Sequence, residues 1–141
     1  MKQKASLISF LALPLALIAG LLAMGCEEEL PTKTELLTAM PWQYQSTSAE
    51  GTGMDSVLIH GFDLTFEEST LTIKSDNTTS WTLKSSVIVN GEWMWESNET
   101  SLQYTQEGAY PKYWIVDELT ESTLKVSWIE GAGTVAHAFT H

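Results

Sequence analysis

Glu92-Trp93-Met94-Trp95-Glu96 puts two tryptophans on one side of an extended chain and two glutamates with a methionine on the other. Successive side chains of a strand point to opposite faces, so this is a strand with one dry face and one wet face. Just ahead of it stands Asn90-Gly91, a dipeptide suited to a tight hairpin in which both central residues need positive φ. The same two-residue period recurs on either side of this stretch. Trp42-Gln43-Tyr44-Gln45-Ser46 alternates cleanly, and Phe62, Leu64 and Phe66 fall on one side of an expected strand over 56–67. Leu71 and Ile73 do the same over 70–75, and Trp81-Thr82-Leu83-Lys84-Ser85 leads on through Val87-Ile88-Val89. Leu102-Gln103-Tyr104 and the stretches 112–119, 122–130 and 134–140 complete the set.

Turn chemistry separates these runs: Asp76-Asn77-Thr78-Thr79, Ser97-Asn98-Glu99-Thr100, the loop 106–111 and Glu130-Gly131-Ala132-Gly133. The count is eight or nine short strands, with nothing read as a crossover helix. The fold class is therefore all-β, and a meander of this kind closes into an up-and-down barrel. A two-sheet sandwich is the alternative. The polar faces carry Glu67, Lys74, Lys84, Glu92, Glu96 and Lys125, charges of both signs that suit water rather than lipid, so the apolar face is expected inside. One short helix precedes the strands. Thr34 is placed to cap it, Leu36, Leu37 and Met40 share a face, and Pro41 ends it.

The N-terminal part has a different character. Lys2 and Lys4 precede a charge-free run over 5–24, the layout of a secretory leader. A retained membrane span is the competing reading on length alone; Pro14 and the small residues Ala19, Gly20, Ala23 and Gly25 suit a cleaved segment better. Leu22-Ala23-Met24-Gly25-Cys26 resembles the lipobox of bacterial lipoproteins. That resemblance implies cleavage before Cys26, acylation of its thiol and attachment to a membrane through the lipid. Two or three acyl chains anchor a protein stably where one holds it only marginally. Glu27-Glu28-Glu29 resembles the acidic signal that sends Bacteroidota lipoproteins to the cell surface, or is simply a solvated charge run. The expected organisation is a signal peptide over 1–25, a tether over 26–33 and a barrel domain over 34–141.

Charge narrows the partners. The chain holds 18 acidic residues against 7 basic ones, all lysines, for a net charge of −11. Removing the leader takes Lys2 and Lys4 with it and makes the remainder more acidic still. A nucleic-acid partner needs a basic stripe for phosphate neutralisation, and no such stripe is present. Neutral, apolar or cationic partners remain. Cys26 is the single cysteine, so no intrachain disulfide forms.

A wider resemblance covers nearly all of residues 34–139. A Leu-Leu-Thr helix leads into Pro41-Trp42; Phe62-Asp63-Leu64-Thr65-Phe66, Asn90-Gly91-Glu92-Trp93 and 114–120 follow, then Thr123-Leu124-Lys125-Val126-Ser127-Trp128. This order is similar to the lipocalin-like domains of Bacteroidota lipoproteins, which implies a lipocalin-like barrel and an outer-membrane location. Lipocalins proper carry their Gly-x-Trp in the first strand, whereas Gly91-Glu92-Trp93 lies mid-chain, so the ligands of that family are not carried over.

No nucleophile elbow, zinc-protease helix or phosphate loop occurs. His137 and His141, four apart, would stand about 13 Å from one another on a strand, and His60 is isolated, so neither a metal site nor a cofactor is expected. The protein reads as non-enzymatic. Its distinctive content is aromatic: Trp42, Phe62, Phe66, Trp81, Trp93, Trp95, Tyr104 and Trp128 either fill the barrel solid or line a cavity for one small apolar or neutral ligand. In the cavity reading the loop of Gly51 and Gly53 is a lid with Met54 as its apolar tip. Tyr113-Trp114-Ile115-Val116 is apolar on both faces, so one face needs cover from the Leu36/Leu37/Met40 helix or from an envelope protein docked on Tyr113, Trp114 and Val116. Asp55-Ser56-Val57 resembles the O-glycosylation site of exported Bacteroidota proteins, with Ser56 the acceptor, or is a chance tripeptide.

Overall fold

The structure, a computed structural model, describes residues 29–51, 53, 56–84 and 87–141. The signal peptide, Cys26 and the lid residue Met54 thus lie outside the described residues, as does Asp55 of the glycosylation tripeptide. The barrel unit spans Pro31–His141. Among the described residues no helix is long and apolar enough to cross a membrane.

Helix α1 covers Lys33–Thr38. Its cap is Thr32 rather than Thr34: the Thr32 hydroxyl accepts from the Glu35 amide while the Glu35 carboxylate reaches back to the Thr32 amide. This capping box satisfies two amides the first turn leaves free. Thr34 is engaged elsewhere, accepting the Trp95 indole N–H at 2.9 Å.

Eight antiparallel strands follow: β1 (Trp42–Glu50), β2 (Thr70–Ile73), β3 (Thr78–Leu83), β4 (Val87–Trp95), β5 (Ser101–Gln106), β6 (Lys112–Leu119), β7 (Thr123–Glu130) and β8 (Gly133–Thr140). Each pairs with the next, and β8 returns to β1, so the sheet closes into a lipocalin-like up-and-down barrel. Closure leaves little sheet edge exposed, and the segment Ser56–Phe66 covers the side of β1 that β2 does not reach. The inward positions are those the alternation marks, including Trp42, Leu71, Trp81, Trp93, Leu102, Trp114, Leu124, Val126 and Phe139, all buried.

Two further expectations are corrected. Residues 56–67 do not form a strand: Ser56–Phe66 is a helix, α2, inserted between β1 and β2. Phe62 and Phe66, four apart, share its inner face, while Leu64 points out to water at 48% exposure. The second concerns Asn90-Gly91, which is not a turn but the middle of β4, where Gly91 pairs with Thr79 on one side and Gln106 on the other. The glycine is required for space. A Cβ there would stand 2.5 Å from the Thr105 carbonyl oxygen and 2.8 Å from the Thr79 hydroxyl, the close approach for which strands use glycine. Strand β3 instead ends at Leu83 and β4 begins at Val87.

The strand directions define two ends. At one, the connections after β2, β4 and β6 gather with α1, which lies against β2 and β6. This end is solid. Leu37 is fully buried and its carbonyl accepts the Trp42 indole N–H at 2.9 Å. His141 stacks on Trp42 at 3.7 Å and contacts the Pro41 carbonyl through Nδ1 at 3.0 Å. The opposite end holds the connections after β3, β5 and β7, and it is open.

Candidate functional site

The open end contains a cavity of about 170 Å³. Its walls are rings: Phe62 and Phe66 from α2, Trp81 from β3, Tyr104 from β5, Trp114 from β6 and Trp128 from β7. Leu83 and Val89 line it towards the β3–β4 connection, and Gln106, Ala109, Tyr110 and Lys112 surround its mouth. His137, on β8, is the polar group at its floor.

The local reason for the cavity is the shortness of β2. In the lower barrel β2 pairs with β1 at Trp42–Leu71 and Gln43–Thr70; above that, α2 stands where a longer strand would have run. A helix is wider than a strand and cannot supply a ladder of carbonyls. Asp63 of α2 makes good part of the loss. Its carboxylate accepts the backbone N–H of Thr47 at 2.9 Å and the phenol of Tyr44 at 2.6 Å. Thr47 lies just past a bulge in β1, where the register against β8 slips between Tyr44 and Ser46.

From Asp63 a polar chain runs inward: Tyr44 hydroxyl to Thr47 hydroxyl, and Thr47 Oγ1 to His137 Nδ1 at 2.8 Å. Burial, reinforced by the bond to Asp63, holds the Tyr44 phenol above its ordinary range. Burial pulls the His137 imidazole down to about 4, with the Lys112 charge pushing the same way and Asp63 opposing both. At neutral pH the floor of the cavity is thus an uncharged imidazole held among aromatic rings, with Trp128 at 4.7 Å and Phe66 at 5.4 Å between centroids. Tyr104 adds a second buried polar atom. Its hydroxyl lies near the Thr79 hydroxyl and the Trp81 indole, but no hydrogen bond closes on it, and burial raises its phenol. Lys112, exposed at the mouth, lies 5.5 Å over the Trp128 ring.

The aromatic set expected to act together is therefore divided. Phe62, Phe66, Trp81, Tyr104 and Trp128 meet around the cavity. Trp42, Trp93 and Trp95 belong to the solid end. There the Trp93 indole donates to the Lys74 carbonyl at 2.8 Å and Trp95 packs edge-on against it at 5.9 Å. The patch over 113–116 also divides. Trp114 is buried, stacks on Tyr104 at 4.6 Å and lines the cavity, and Val116 faces inward beside the core. Tyr113 stays outside at 58% exposure, joined by Ile115 at 45% and Ile129 of β7 at 74%. Helix α1 does not cover this face: it sits across the solid end, and Met40 is itself exposed. Ser56 begins α2.

Sequence reasoning missed Asp63, Tyr44, Thr47 and the role of His137. A signal for His137 was present, since Val135, His137 and Phe139 form one dry face of β8. Among the described residues no cluster of His, Cys, Asp and Glu could hold a metal ion. No protein-family model matches the chain, and no curated protein matches it.

Proposed function

We propose that this protein is a non-enzymatic, lipid-anchored lipocalin-like protein of a bacterial outer membrane that holds one small apolar or neutral ligand in the upper barrel. The observation that carries the reading is the cavity itself. A void of about 170 Å³ leaves the inner faces of its rings without packing partners, contacts that a filled barrel would have made. Domains of this size are stable by only about 5–15 kcal/mol. The solid end shows that this chain has rings enough to fill space where filling is all that is needed. Apolar walls with a few convergent polar groups are the general character of ligand pockets.

The anchor rests on the residues around Cys26, and the outer-membrane location on the family resemblance. Titration of a broad panel of apolar and neutral molecules against intrinsic tryptophan fluorescence tests the binding: Trp81, Trp114 and Trp128 are in the cavity wall, and a panel-wide absence of change refutes it. Incorporation of labelled fatty acid into wild type but not Cys26→Ala tests the anchor. A second reading, a docking face for an envelope protein, is favoured by the exposed strip of Tyr113, Ile115 and Ile129. Recovery of the same envelope protein by wild type and not by Tyr113→Ser/Ile129→Ser would support it.

A further inference from the structure

We infer that the cavity is built for a small ring carrying a hydrogen-bond donor, a phenol-like or indole-like molecule whose O–H or N–H is accepted by Nε2 of His137. This rests on the ligand-binding reading above and specifies its chemistry.

The argument follows protons along the polar chain. The Asp63 carboxylate only accepts, so the single phenolic proton of Tyr44 goes to Asp63 Oδ1. The Tyr44 oxygen is then the acceptor in its contact with Thr47, and the Thr47 hydroxyl proton is spent on it. Thr47 Oγ1 has lone pairs but no proton left for His137, so His137 Nδ1 is the donor across the 2.8 Å contact. An imidazole carrying one proton, fixed on Nδ1, has a bare Nε2. Among the described residues nothing hydrogen-bonds Nε2, and His137 lines the cavity floor. Burial of the ring keeps it in this uncharged form at neutral pH. The floor therefore offers a directed acceptor in an apolar pocket, and a ligand without a donor leaves that acceptor unpaired on binding.

Size and charge complete the description. About 150 Å³ of apolar cavity holds a benzene ring, so about 170 Å³ takes one ring or a small fused pair. The walls of Phe62, Phe66, Trp81 and Trp128 suit edge and offset-stacked ring contacts. A carboxylate has no proton to give Nε2, so it would leave that acceptor unpaired and would itself lose its water among the rings.

The test is calorimetric titration of the full chain with matched pairs, p-cresol against toluene and indole against 1-methylindole, with benzoate as the anionic comparison. One net hydrogen bond corresponds to about tenfold in affinity, so p-cresol and indole should each bind about tenfold tighter than their donor-free partners. In Thr47→Val, which frees the imidazole to take either tautomer, the ratio should shrink towards unity. Nitrogen-15 spectra of wild-type His137 give a readout independent of any variant's folding, and should show the proton on Nδ1. Equal affinities within each pair, a proton on Nε2, or benzoate binding tighter than p-cresol would each overturn the inference while leaving a ligand cavity in place. If none of the five molecules binds and the wider panel is also silent, the ligand-binding reading falls and takes this inference with it.

Discussion

Acid should destabilise this barrel well before its carboxylates titrate, through one residue. His137 is 4% exposed, and its imidazole is drawn from 6.5 to about 4 by burial first and by Lys112 second, with Asp63 opposing. The folded state therefore keeps it neutral where the unfolded chain has already taken up a proton. Stability from this source is fully present above pH 6.5 and is lost as pH falls through the window down to about 4. Each unit of difference is worth about 1.4 kcal/mol. The loss thus reaches about 2 kcal/mol at pH 5 and about 3 kcal/mol near pH 4. Glu35 and Asp76 are held below the ordinary carboxylate range by hydrogen bonds from Thr32 and Thr78, respectively. Their contributions begin lower, below about pH 4.5. Urea unfolding of wild type and of His137→Phe, followed by tryptophan fluorescence from pH 7.5 to pH 5, isolates the histidine because every other group is common to both. Wild type should lose about 2 kcal/mol more unfolding free energy than His137→Phe over that range. Parallel pH dependences would refute the placement of a neutral imidazole at the cavity floor.

Trp42→Ala removes a fully buried ring together with its bond to the Leu37 carbonyl and its stack on His141; a loss of about 3–5 kcal/mol is expected in the same urea assay. Gly91→Ala sets a Cβ 2.5 Å from the Thr105 carbonyl oxygen; that neighbour is backbone, and a cost of about 1–3 kcal/mol should appear as a lowered urea midpoint. Tyr104→Phe deletes a buried hydroxyl that closes no hydrogen bond, so stability should hold or rise by about 1 kcal/mol, whereas a clear loss would mean that the hydroxyl is bonded.

The barrel was legible because alternation reports which face of a strand is dry, and in a closed sheet every strand has one dry face. It failed at 56–67 for a definite reason. Phe62 and Phe66 satisfy a period of two through Leu64 and a helical period through their own spacing of four. Leu64, between the two rings, completed the strand pattern and hid the helical one. Packing decided: the two rings close the upper barrel, and the Thr65 hydroxyl donates back to the Gly61 carbonyl at 2.7 Å. Asn90-Gly91 misled because glycine serves two purposes, positive φ and close approach, which are identical in sequence. The polar chain of the site was not legible at all. Its members lie on α2, β1 and β8, and only closure of the barrel brings Asp63, Thr47 and His137 together.

A cylinder laced along every seam cannot change its girth without tearing a ladder. Here the lacing between β1 and β2 runs, among the described residues, only from Gln43–Thr70 to Trp42–Leu71, with one further bond from the Tyr44 amide to the Ser69 carbonyl. Among the described residues, the hydrogen bonds across the rest of that seam go to the Asp63 carboxylate of α2, with Phe66 packed on Tyr44 at 5.6 Å beside it. The circumference at the open end can therefore widen by parting Asp63 from Tyr44 and Thr47 while the other ladders stay whole. The same parting would unhook the far end of the chain that orients His137, so dilation of the rim and loss of the imidazole's fixed tautomer are one event.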